Sequence, residues 1–207
     1  MEITQTDREN AKKALKNFKV EKTEEEKFYC MCFSLLSPQT TFKSNLKVMA
    51  ELRKQEFFRK DMIKATLLKI LKPVRFYNNK ARCLLELKHK WDDLTEMGVF
   101  NTKLDVAFHE RCWKTEERRD ILVEAIRGLG YKTASMFLRD LGYLDCAIID
   151  THILKYLNEK LPTTKKEYLR LEQLFNRKAE VMGMTPAELD VVVWMKYSNT
   201  PWEKIVY

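Results

Sequence analysis

Apolar residues recur along this chain at intervals of three and four rather than two. Segments near 40–52, 60–71, 76–91, 104–112, 116–127, 132–141, 150–160 and 165–182 carry that spacing. It is the pattern of helices that turn one face to a core. No run of strict alternation is bounded by turn residues, so strands are not expected. Breaks fall at Pro38, Pro73, Gly98, Gly128–Gly130, Gly142 and Pro162. Two helix starts are written into the sequence. Thr23 with Glu26 forms a capping box before an apolar run, and Thr185, Pro186 and Glu188 open "ELDVVVWMKY" in the same way. No repeat, low-complexity tract or long linker interrupts the pattern. The expected architecture is all-α, a compact bundle of about ten short helices joined by short loops.

Composition changes this picture little. At 207 residues and 45% hydrophobic, the chain can bury a real core as one domain or two closely packed lobes. Lys and Arg outnumber Asp and Glu by 38 to 30, a net charge of +8 that favours a polyanionic partner. The N-terminal stretch is charged and has no apolar centre of signal-peptide length. No segment approaches the roughly 20 apolar residues of a membrane span. The five cysteines, Cys30, Cys32, Cys83, Cys112 and Cys146, are odd in number and scattered. They read as small buried hydrophobes of a reducing compartment rather than a disulfide framework. Neither they nor the three histidines have the spacing of a metal site, so no metal is expected.

The chemistry concentrates in "RGLGYKTASMFLRDLG", residues 127–142. Residues 121–127 end one helix, and Ala134, Phe137, Leu138 and Leu141 mark one face of the next. Gly128 and Gly130 are free to take φ > 0, and Leu129 between them can pack inward. The result is a helix–hairpin–helix, whose outward amides and following helix N-terminus can hold a phosphate. An ordinary helical corner with a glycine cap accounts equally well for two glycines alone. Lys132 tips the balance. It falls in the first helical turn, where the macrodipole disfavours a cation by about 0.3–1 kcal/mol. The dipole, Arg127, Arg139 and partial burial would together lower its pKa toward the neutral amine of a nucleophile. Eighteen residues on, in "AIIDTHIL", Asp150 follows an apolar run and opens another helix. It can cap that helix and also present a carboxylate to a developing cation beside Lys132.

The pattern G-h-G-x-K-x-A followed by h-h-D-x-H resembles the helix–hairpin–helix DNA glycosylase superfamily, in the branch with a lysine nucleophile. It is most similar to the archaeal-type (type 2) 8-oxoguanine DNA glycosylase/AP lyases. "CFSLLSPQTTFKSN" resembles the segment that penetrates DNA near the extruded base. "RFYNNKARCLLEL" resembles a wedge loop and its helix, and "AELDVVVWMKY" the C-terminal helix with its tryptophan.

That resemblance implies two helical lobes with a DNA-binding cleft between them. One is a central lobe of residues 33–145 containing the hairpin at 121–142. The other is formed by residues 1–32 with 146–207. It implies a bifunctional enzyme. Lys132 would attack the sugar C1′ as an oxidised base leaves, Asp150 would stabilise the oxocarbenium-like charge, and β-elimination from the Schiff base would cut the strand. Gly128 and Gly130 would bind phosphate, Gln39 would fill the gap left by the flipped base, and Phe76 or Tyr77 would wedge the duplex. Met136, Asp190, Trp194 and Tyr207 would line the base pocket. Tyr207 ends the chain where the branch ends in a lysine that helps read 8-oxoguanine. Arg75, Lys80, Arg82 and Lys155 read as phosphate contacts. A monovalent cation at the hairpin carbonyls is the only ion the resemblance admits. The implied partner is double-stranded DNA carrying a damaged base, met by a monomer in the cytoplasm, at the nucleoid. A glycosylase/lyase for another oxidised base and a non-catalytic helix–hairpin–helix DNA-binding protein are the competing readings; a monofunctional glycosylase would lack Lys132.

Overall fold

The computed structural model describes residues 1–16, 18, 21–102, 114–199 and 201. Among them lie ten helices and no strand: α1 (Gln5–Lys16), α2 (Glu24–Leu36), α3 (Phe42–Lys54), α4 (Lys64–Leu71), α5 (Tyr77–Glu96), α6 (Thr115–Ala125), α7 (Tyr131–Asp140), α8 (Thr151–Leu157), α9 (Lys165–Val181) and α10 (Pro186–Ser198). Both expected capping boxes form. The Thr23 hydroxyl accepts from the Glu26 amide at 3.2 Å, and Thr185 accepts from Glu188 at 3.2 Å. Helix α1 is not among the expected segments; its buried stripe is only Ala11, Ala14 and Leu15 in an otherwise charged sequence. The helix expected near 104–112, and Cys112 with it, lie outside the described residues.

Two apolar cores organise the helices. The first takes residues from α2 through α7, from Phe28 to Cys146. At its centre Trp91 stacks on Phe100 with centroids 4.0 Å apart, and Phe28 meets Trp91 edge-on at 5.0 Å. The second joins α1 and Phe18 to the 147–149 segment, α8, α9 and α10. Helix α10 buries Leu189, Val191, Val192 and Val193 together, so it is apolar around most of its circumference. It packs against α1, α8 and α9. The lobe boundary expected at residue 33 falls inside α2, whose Phe28, Tyr29, Met31 and Cys32 already belong to the first core. A helix buries its face as a unit, so all of α2 sits with that core.

The cores meet along α7. Its Phe137 and Leu138 enter the first, while Tyr131 packs against the second. A buried ion pair crosses here. Arg119 of α6 donates two bonds to Glu172 of α9, at 2.5 and 2.7 Å, and a third to the Ser135 hydroxyl of α7 at 3.0 Å. Glu172 also accepts from the Ala147 amide at 3.1 Å. The Tyr168 hydroxyl donates to the Ala147 carbonyl at 3.1 Å and accepts from the Ile149 amide at 3.3 Å. The backbone leading to Asp150 is thus fixed from α9. No helix among the described residues is long and apolar enough to cross a membrane.

Candidate active site

The hairpin between α6 and α7 turns in five residues, 126–130. Gly128 takes φ +82°, and a Cβ there would come within 2.7 Å of the Cys83 sulfur. This glycine is required by both backbone and neighbour. Leu129 packs inward at 5% exposure. Gly130 is different from expectation: its φ is −105°, an ordinary extended value. It caps α7, its amide donates to Thr133 Oγ1 at 3.0 Å, and a Cβ there would meet nothing within 4 Å. No contact among the described residues calls for glycine there.

Lys132 occupies the second position of α7 and is exposed, not partly buried. Asp150 caps α8 as its position implied. Its Oδ1 accepts from the His152 amide at 2.8 Å and the Ile153 amide at 2.9 Å. Both bonds fall on one oxygen, and Oδ2 takes no hydrogen bond among the described residues.

These two side chains line one pocket of about 210 Å³. Met136, Asp190 and Trp194 line it with them, so five sequence candidates converge. The opposite wall comes from α2, α3 and the turn between them, through Phe33, Ser37, Thr40, Phe42 and Asn45; Arg139 and Ile148 complete it. Phe33 and Phe42 meet edge-on at 6.0 Å. Asp190 is the buried acid of the site. Burial pushes its carboxyl up to about 7, against the pull of Arg139, while Asp150 adds to the rise and Lys132 opposes it. Arg139 Nη1 donates to Asp190 at 3.2 Å. Among the described residues no three His, Cys, Asp or Glu side chains cluster to hold a metal ion.

The remaining candidates lie outside this pocket. Gln39 is exposed on the turn after α2, with φ +54°. Phe76 is 54% exposed just before α5, also left-handed at φ +57°. Tyr77 instead packs against the first core, so the structure separates the two wedge candidates. Tyr207 lies outside the described residues. Lys80 is corrected outright. It is 7% exposed and is no surface phosphate contact. Its ammonium donates to the carbonyls of Leu36 (2.7 Å) and Pro38 (2.8 Å) and to Thr40 Oγ1 (2.6 Å). Burial lowers its pKa to about 8. The sequence did hold a signal: Lys80, Leu84, Leu87, Trp91 and Leu94 fall on one helical stripe.

A lysine at a hairpin-led helix start and an N-capping aspartate in one pocket invite comparison with known proteins. A profile of the 8-oxoguanine DNA glycosylase family, Ogg-HhH, matches residues 9–184. The chain belongs to this family. The 8-oxoguanine DNA glycosylase/AP lyase of Thermoplasma volcanium is 32% identical over 194 residues, covering 91% of this chain and 89% of that protein. That of Methanocaldococcus jannaschii is 31% identical over 188 residues, 86% and 83% of the two chains. The crystal structure of the latter with a 15mer DNA containing 8-oxoguanine superposes with TM-score 0.76 at 28% identity, over 92% of this chain and 90% of that one. In this glycosylase-family chain the helix–hairpin–helix and the Lys132–Asp150 pair fall within the matched span.

Proposed function

We propose that this protein is a bifunctional 8-oxoguanine DNA glycosylase/AP lyase acting on double-stranded DNA in base excision repair. The observation that carries the reading is the shared pocket of Lys132 and Asp150, which a binding module has no use for. The family membership and the named activity of the relatives support it.

The target nucleotide is turned out of the stack into the pocket, between the α2–α3 wall and the α7–α10 wall. The lone pair of the Lys132 amine forms a bond to the sugar C1′ while the bond from C1′ to the base nitrogen breaks and the base leaves with that electron pair. Positive charge develops on the sugar. Asp150 faces it with a carboxylate that two backbone amides hold in place, so no reorganisation is needed at the moment of reaction. Loss of the lysine proton and sugar-ring opening leave an iminium between Lys132 Nζ and C1′. The iminium acidifies the C2′ proton; its removal expels the 3′ phosphate oxygen and cuts the strand. Asp150 is the near base for these transfers. Met136, Trp194 and Asp190 contact the base.

Outside the pocket, Gln39 fills the vacated position in the stack and Phe76 wedges the partner strand. Gly130 has open space where a Cβ would stand, which suits close approach of a phosphate to the hairpin amides. The Arg127, Gly128 and Leu129 carbonyls accept no hydrogen bond among the described residues, and they are the oxygens a monovalent cation would use. One chain supplies the whole pocket, in keeping with a monomer working at the nucleoid in the cytoplasm.

Borohydride trapping tests this. Wild-type protein with an end-labelled 8-oxoguanine duplex yields a covalent protein–DNA band, and Lys132→Gln yields none. A band with abasic or oxidised-pyrimidine DNA but not with 8-oxoguanine would move the substrate. No band with any of them would leave a DNA-binding module.

A further inference from the structure

Four exposed residues among those described hold left-handed backbones without being glycine. Asn158 and Asn199 are the C-caps of α8 and α10, where asparagine takes that conformation readily, but Gln39 at φ +54° and Phe76 at φ +57° end no helix. Such a conformation is strained for a residue with a Cβ and persists only where the surroundings over-determine it. An exposed aromatic that begins a helix with no side-chain cap has no local reason to adopt it.

Lys80 touches both. Its amide donates to the Phe76 carbonyl at 3.0 Å, closing the first turn of α5. Its ammonium reaches back to three oxygens of residues 36–40. The Pro38 carbonyl and the Thr40 hydroxyl lie on either side of Gln39, with the Leu36 carbonyl behind. No carboxylate pairs with it among the described residues. A buried ammonium needs its donors satisfied, and here that need is met by a single turn. Asn45 ties the same turn from the opposite side, donating to the Phe33 carbonyl and Ser37 Oγ, each at 3.0 Å.

We infer that Lys80 is a positioning residue that sets Gln39 and Phe76 in register with each other, so that the two enter the duplex together when the damaged base is turned out. This rests on the proposed reading of the protein as a glycosylase that inserts both residues. Lys80 acts through them and does not itself line the pocket, although it bonds Thr40 of the pocket wall. Misplacing a probe by about 1 Å is enough for losses near a hundredfold.

The test is single-turnover excision from an 8-oxoguanine:cytosine duplex, with cleavage of a single-stranded abasic oligonucleotide as the second substrate. A 2-aminopurine beside the lesion reports stack opening. Lys80→Met keeps the stem and removes the donors. It is expected to lower duplex excision at least tenfold more than single-strand cleavage and to abolish most of the fluorescence rise. Added to Gln39→Ala/Phe76→Ala it should cost less than a further twofold, because the residues it serves are gone. Thr40→Val, which removes one of the three oxygens, should move the same ratio in the same direction by a few-fold, and it serves where Lys80→Met folds poorly. Equal losses on both substrates, or a Lys80→Met effect that multiplies fully with the double variant, would reduce Lys80 to a structural residue. If Gln39→Ala and Phe76→Ala excise as fast as wild type while trapping persists, the inference falls and the lyase reading stands. If wild type forms no trapped complex, both fall.

Discussion

Replacing Glu172 by leucine should come close to unfolding this protein. Arg119 is buried to 1% exposure, and Glu172 is its only carboxylate partner among the described residues, at 2.5 and 2.7 Å. Burial works against the guanidinium charge; the bonds and charge of Glu172 outweigh it and hold the group firmly protonated. Removing one partner of a buried pair typically costs about 3–5 kcal/mol, because the other charge remains in the core. The Ala147 amide also loses its acceptor, worth about 1–3 kcal/mol. The two losses share one site and overlap, so about 4–6 kcal/mol is expected, a large part of the ~5–15 kcal/mol that stabilises a domain. The double variant Arg119→Met/Glu172→Leu should recover most of it, since apolar groups of like volume replace buried pairs at little cost. It should still fall short of wild type by about 1–3 kcal/mol for the orphaned amide. Guanidinium chloride denaturation of the four proteins, followed by far-UV circular dichroism, closes the cycle. A loss below about 1 kcal/mol for Glu172→Leu, or a double variant no better than the single, would refute the view that this pair staples the two cores.

Three further outcomes are expected. Gly128→Ala should lower stability by about 2 kcal/mol or more, from the left-handed penalty and the clash with Cys83, whereas Gly130→Ala should melt near wild type and weaken duplex binding in a filter or anisotropy assay; equal melting of the two would contradict this. Asp150→Asn keeps an N-cap side chain and should alter stability by less than about 0.5 kcal/mol, while Asp150→Ala should cost about 1 kcal/mol; both should lose strand cleavage by about a hundredfold or more, and a cleaving Asn variant would reduce Asp150 to a cap. Asp190 titrates near 7 in the fold against 3.8 ordinarily; the native state therefore holds that proton more tightly, and stability falls as pH rises from about 4 to 7 and levels above it. Asp190→Asn lacks this loss, so its melting temperature should gain on wild type across that window, and parallel curves would show that the carboxyl does not titrate there.

Much of the fold is legible because its signals are local. Thr23 with Glu26 and Thr185 with Glu188 announce helix starts through bonds three residues long. Lys132 and Asp150 are legible because each asks for a second explanation: a cation stands in a first turn that disfavours it, and a capping carboxylate has a further use. Helix α1 escapes because Ala11, Ala14 and Leu15 bury little surface, and only α10 laid beside it makes their face apolar. Gly130 misleads because a G-h-G pattern does not say which glycine carries the positive φ; the close approach of Cys83 from α5 falls on Gly128 alone.

The residues that escape a sequence reading share one property. Lys80 lies on the stripe of Leu84, Leu87, Trp91 and Leu94, and Asn45 on that of Val48, Met49 and Leu52. A polar side chain on a core-facing stripe cannot be solvated, so it must bond to something the core encloses. In both cases that something is the end of α2 and the turn after it: Lys80 takes the carbonyls of Leu36 and Pro38, and Asn45 adds a bond to the Phe33 carbonyl, which also accepts from the Ser37 amide. A helix end buried beside two others draws its hydrogen bonds from their polar misfits, and the turn is held in a conformation it would not choose alone. The left-handed Gln39 is the visible consequence. Such a residue cannot be read from its neighbours in sequence, because the bonds that hold it there come from α3 and α5. Polar positions on apolar stripes are therefore where a chain of this kind encodes its pocket wall, each one placed to satisfy a stretch of backbone that its own helix does not contain.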